Sequence, residues 1–88
     1  MASYNIVFKP SVEKDLRSLP SSLIERLVKH LETLKDNPFP RQSIKLAGSE
    51  QLYRLRVGVY RIVYAVDSAA KRITVHYIRH RRDAYRDL

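Results

Sequence analysis

Three arginines, Arg54, Arg56 and Arg61, lie in the stretch YRLRVGVYRIVY, residues 53–64. A guanidinium is planar, permanently charged and able to grip phosphate oxygens with two parallel N–H donors. Several of them on one surface suit the binding of a polyanion, or the stabilisation of negative charge developing on a phosphoryl group. A second basic run, RHRRDAY at residues 79–85, adds Arg79, Arg81 and Arg82, and Lys45 stands in a basic connection upstream.

The sequence around the arginines reads as a β-hairpin. Gly58-Val59 suits a two-residue II′ turn, whose first central position favours glycine. That turn sets Val57 opposite Tyr60, Arg56 opposite Arg61, Leu55 opposite Ile62, Arg54 opposite Val63 and Tyr53 opposite Tyr64. Alternation then separates two faces. Tyr53, Leu55, Val57, Tyr60, Ile62 and Tyr64 belong to the core, and Arg54, Arg56 and Arg61 to the other side. Opposed like charges oppose folding, by about 1–3 kcal/mol at about 6 Å between water and an effective dielectric of 20. A solvated face with splayed side chains would tolerate this. A phosphate-binding face would use it.

Charge points the same way. The 88 residues carry 17 bases and 9 acids, a net charge of +8. Residues 1–40 hold six bases and five acids, whereas residues 41–88 hold eleven and four. The second half is therefore the side expected to meet a polyanion, nucleic acid before an acidic protein or an anionic membrane. With no cysteine, disulfides, thiolate metal sites and a cysteine nucleophile are excluded. No apolar run is long enough to span a bilayer, and MASYNIVFK lacks a signal-peptide core, so the cytoplasm is the expected location and no membrane partner is expected.

The remaining segments must hold the hairpin. YNIVF, residues 4–8, reads as a strand ended by Lys9-Pro10. Ser11 is placed to cap a helix with Val12, Leu16 and Leu19 on one face, broken by Pro20. Ser22 and Glu25 form a capping-box pattern for a second helix burying Leu23, Ile24, Leu27, Val28, Leu31 and Leu34. Residues 41–51 read as a connection, followed by strands at about 52–57, 60–66 and 72–78. The order β-α-α-β-β-β predicts a single α+β domain over residues 1–88, with a helical hairpin on a mostly antiparallel sheet and a short C-terminal tail.

Other residues offer less specific chemistry. His76 and His80 on one strand would lie about 13 Å apart, too far to share an ion, and no metal or other cofactor is expected. His80, at the strand end among cations, could exchange a proton near neutral pH or serve structurally. Tyr85 could pin the tail or stack on an exposed base. Tyr53, Tyr60, Tyr64 and Tyr77 are expected in the core.

IKLAGSEQLYRLRVGVYRIVYAVD followed by ITVHYIRHRRDAY resembles the RelE/ParE superfamily of bacterial and archaeal toxins, over nearly the whole chain. The resemblance implies a metal-independent endoribonuclease of the RelE type, which enters the ribosomal A site and cuts mRNA by attack of a ribose 2′-OH on the adjacent phosphate. It also implies a cognate antitoxin, contacts with the ribosome (16S rRNA), and operator DNA bound through the toxin–antitoxin complex. By motif, Arg54 and Arg56 stand where such toxins often carry catalytic lysines, Arg61 matches the phosphate-stabilising arginine, and Arg81 matches the proposed acid, with Arg82 as its register alternative. Tyr85 matches the terminal tyrosine, and Lys45, Arg79 and Arg82 are the expected RNA-binding cations. Two departures matter. Arginine stays protonated, so Arg54 and Arg56 are poor bases and the base is left to His80 or Tyr85. Arg79 also occupies a position often held by glycine. A ParE-like gyrase inhibitor and a catalytically decayed antitoxin-binding module share the same fold and form the alternatives.

Overall fold

The hairpin turn fixes the centre of the structure. Gly58 adopts a φ of 59°, a left-handed value that an L side chain resists, while Val59 keeps an ordinary φ. This is the II′ signature, and the five pairings anticipated from it are all found between β3 (Leu52–Val57) and β4 (Tyr60–Asp67). The computed structural model describes residues 3–46, 48 and 51–82.

The remaining elements are β1 (Asn5–Phe8), α1 (Pro10–Arg17), α2 (Ser21–Asp36), β2 (Ser43–Lys45) and β5 (Arg72–His80). They form a five-stranded mixed sheet in the order β1-β5-β4-β3-β2, in which only the β1–β5 pair is parallel. The helices cover one face. Val12 of α1 and Leu27, Leu31 and Leu34 of α2 meet Leu55, Val57, Ile62, Tyr64, Val66, Ile73, Val75 and Ile78 in one buried cluster. No helix among the described residues is long and apolar enough to cross a membrane.

Several local expectations give way to stronger constraints. β2 forms within the segment read as a connection, because pairing of Ser43 with Leu55 and Lys45 with Tyr53 supplies what three polar-flanked residues could not signal alone. Helix α1 begins at Pro10 rather than after a Ser11 cap; proline's fixed φ suits the first helical turn, and the Lys9 carbonyl accepts the first bonds. The Ser22–Glu25 capping box does not form either. Pro20 stands at the N-cap without a side-chain bond, and its carbonyl accepts from the Leu23 and Ile24 amides.

Val28 is 43% exposed despite its place in the apolar stripe. It follows Leu27 by one residue, a rotation of about 100° around the helix, which carries it to the rim. There it lines a groove with Ile6 and Phe8 of β1.

The larger departure lies in β5. Val63 pairs with Tyr77, yet Tyr64 pairs with Val75, so His76 is an extra, bulged residue. The bulge reverses the alternation. Ile73 and Val75 are buried before it and Ile78 after it. Tyr77 therefore leaves the core, contrary to expectation, and joins the arginine face.

Candidate nucleic-acid interface

Cross-strand register builds the arginine face in two rows. Ile44, Arg54, Val63 and Tyr77 follow one another across β2, β3, β4 and β5. Arg56, Arg61 and Arg79 form the neighbouring row toward the hairpin tip. Val63 is buried although it lies outside the helix-side cluster, flanked in its row by Arg54 and Tyr77. Long side chains commonly cover apolar surface with their stems while their heads reach water.

Two of the guanidiniums are held in place by different devices. Arg61 Nη1 donates to the carbonyls of Gly58 and Tyr60, both at 3.0 Å, which fastens it to the tip of its own hairpin. The Arg79 guanidinium lies over the Tyr77 ring, 4.3 Å from its centroid. Both arrangements reduce the side-chain freedom that a bound anion would otherwise have to remove.

The face is concave. Arg41, Gln42, Ile44, Arg54, Arg56, Gly58 and Arg61 line a depression of about 510 Å³ with no carboxylate in its described lining. A groove with one sign of charge concentrates field lines and favours a polyanion. It is an open surface, and it leaves orientation of a flexible strand to whatever else holds that strand.

The expected site residues do not all converge here. Arg54, Arg56 and Arg61 share the depression, and Arg79 continues the row of Arg56 and Arg61. The Arg81 amide donates to the Val59 carbonyl at 2.6 Å, which ties the chain just beyond β5 to the hairpin tip; the Arg81 and Arg82 side chains are exposed. Lys45 pairs with Tyr53 and so takes the opposite face, at the sheet edge. His80 pairs with Tyr60, and its ring meets the Tyr60 ring edge-on at 5.6 Å, on the helix side of the sheet. Its Nδ1 also accepts from the Arg82 amide at 3.2 Å. Tyr85 lies outside the described residues.

Other polar groups are structural. The Tyr64 hydroxyl donates to the Pro38 carbonyl at 2.8 Å, and burial pushes its phenol up to about 12. It cannot serve as a base near neutral pH. His76 is held below its usual range, first by burial at the bulge and then by the charge of Lys9. Among the described residues no group of three or more His, Cys, Asp or Glu could hold a metal ion.

Sequence reasoning missed Tyr77 and the β2-side wall of Arg41, Gln42 and Ile44. A signal for Tyr77 was present: apolar positions move from odd numbers at Ile73 and Val75 to an even one at Ile78. That switch is how a bulge is written in a strand. The wall has no such mark, since β2 pairs only through tertiary contact.

The fold and chain have well-defined relatives. Residues 6–85 match the family described as the ParE toxin of the type II toxin–antitoxin system parDE. A protein of Methanocaldococcus jannaschii that carries the toxin RelE1 name is 34% identical over 87 residues, covering 96% of this chain and 97% of the relative. The archaeal RelE–RelB complex from Pyrococcus horikoshii OT3 contains a chain superposing with a TM-score of 0.82 at 33% identity, covering 93% of this chain and 99% of that one. Isolated Escherichia coli RelE gives a TM-score of 0.79 at 26% identity, with 89% and 84% covered. With matched length, topology and sequence all in agreement, the chain belongs to the RelE/ParE superfamily and is a toxin of the type II toxin–antitoxin class.

Proposed function

We propose that this toxin is a cytoplasmic, ribosome-dependent endoribonuclease that cleaves mRNA in the A site. The observation that carries the reading is the row Arg56–Arg61–Arg79 beside Arg54 on the open sheet face, with Arg54, Arg56 and Arg61 lining its depression. In the reaction the 2′-oxygen forms a bond to the adjacent phosphorus and the bond to the 5′-oxygen breaks. The products are a 2′,3′-cyclic phosphate and a free 5′-hydroxyl. Arg61, with Arg54 and Arg56, would stabilise the extra negative charge of the phosphorane, and Arg81 would serve the leaving oxygen. Arg79, Arg82 and Lys45 would contact the surrounding RNA, with Lys45 reaching it from the sheet edge. These charges are supplied by the chain's own cations, so the reaction as drawn is metal-independent. Tyr85 or His80 would take the 2′ proton; a role for His80 requires RNA to reach around the sheet's end.

The partner expected in the cell is a cognate antitoxin, since related toxins are found in complexes with RelB. Acidic antitoxin residues over Arg54, Arg56 or Arg81 would make binding weaken with salt. Operator DNA would be met through that complex.

A second reading also rests on a specific observation. The matched family is described as ParE, which favours inhibition of DNA gyrase without RNA cleavage. Induced expression separates the two. Rapid arrest of protein synthesis with mRNA cut at codon-spaced sites supports the nuclease; DNA damage and filamentation with intact mRNA supports the gyrase reading. Harmless expression of soluble, folded protein contradicts both and leaves a decayed antitoxin-binding module.

A further inference from the structure

We infer that Tyr77 is a positioning residue that fixes the Arg79 guanidinium beside Arg61 as the second half of a phosphate-binding pair. The inference rests on the endoribonuclease reading and adds to it a residue outside the arginine motif.

The bulge at His76 is what makes the arrangement possible. Without the extra residue, the alternation that buries Ile73 and Val75 would carry Tyr77 and Arg79 into the core. With it, both emerge on the face opposite the helices, and Arg79 comes into register with Arg61. Arg61 is already fastened by two backbone carbonyls at the hairpin tip. Arg79 stands across from it, 4.3 Å over the Tyr77 ring.

The contact is suited to positioning. A ring face attracts a guanidinium through its quadrupole, while the N–H donors of a guanidinium point outward in its own plane, the direction in which phosphate oxygens are met. The same ring flanks buried Val63 and is half-buried itself, so its own rotation is restricted. Two arginines on adjacent strands, each held by a separate contact, meet a phosphate with less entropy to lose than two splayed ones. The ligand is an RNA phosphodiester, with Arg61 and Arg79 approaching it from neighbouring strands.

The test is single-turnover cleavage of message in a programmed ribosome, run at saturating and subsaturating toxin, with thermal unfolding measured in parallel. Tyr77→Phe keeps the ring and should cut within about twofold of wild type. Tyr77→Leu should lose about three- to tenfold, the scale of one cation–π contact. Arg79→Ala should lose at least as much, and the Tyr77→Leu/Arg79→Ala double variant no more than Arg79→Ala alone. If Tyr77→Leu does not fold, Tyr77→Val preserves a strand-forming residue and carries the same comparison. Additive losses, or equal cutting by wild type and a folded Tyr77→Leu, overturn the inference while leaving the nuclease reading intact. Loss in Tyr77→Phe equal to that in Tyr77→Leu assigns the effect to the hydroxyl and also overturns it. A wild-type protein that leaves ribosome-bound message uncut overturns the nuclease reading and this inference with it.

Discussion

Arg56 and Arg61 stand directly opposite each other across the β3–β4 pair, on the face that the helices leave open. Nothing in core formation calls for this placement. The hydrophobic side of the hairpin would be satisfied by Leu55, Val57, Ile62 and Tyr64 whatever lay behind them. A pair that opposes folding and serves an anion should reveal itself as a trade between stability and activity.

Arg56→Thr should therefore raise stability, by up to about 1 kcal/mol, because it replaces one member of a repelling pair with a good strand former. Arg61→Ala should fold normally and lose about 10²–10³ in cleavage rate, the scale of one transition-state donor. Urea unfolding midpoints and single-turnover rates on the same preparations check both. A less stable Arg56→Thr, or a folded and fully active Arg61→Ala, contradicts the assigned role.

The register that makes this face depends on one backbone angle. Gly58→Ala should destabilise the protein by about 1–2 kcal/mol, since alanine resists a φ of 59°. The cost is conformational rather than steric: a Cβ there would meet only the end of the Arg26 side chain at 3.5 Å. Thermal unfolding checks the magnitude, and an unchanged midpoint would mean that the turn adapts.

These two cases show why the hairpin was legible in sequence and other parts were not. Gly58 and the alternation around it are local and redundant, so turn and pattern specify the same pairing. At His76 the sequence carries only a change of apolar parity, and strict alternation misplaces Tyr77 in the core. β2 is more opaque still, because Ser43–Lys45 become a strand only when β3 is already beside them. The cap positions failed for another reason: Pro10 and Pro20 set the chain's direction before Ser11 or Ser22 could accept a backbone bond. The arginine face was readable as chemistry, but its completion by Tyr77 was a consequence of the bulge.

His76 gives the protein a pH dependence of known sign. Its folded pKa lies below the ordinary value of 6.5, so the unfolded chain binds more protons as pH falls through that range. Stability should decline from neutral pH downward, beginning near pH 6.5 and levelling once pH passes below the folded pKa. His76→Gln should flatten that part of the curve. Unfolding midpoints at closely spaced pH values check it; a slope that persists unchanged in the variant assigns the effect to other groups.

The most direct measurement compares cleavage of one message, free and bound to a ribosome with an empty A site, under single-turnover conditions. Cleavage needs the 2′-oxygen, phosphorus and leaving oxygen nearly in line, and the open arginine face cannot impose that geometry on a flexible strand. Positioning is worth on the order of 7–11 kcal/mol in favourable cases, and a site whose four sheet-face cations are all arginines depends on it heavily. Negligible cutting of free message at physiological salt, with efficient cutting on the ribosome, is the predicted result. Equal rates on the two substrates would contradict it.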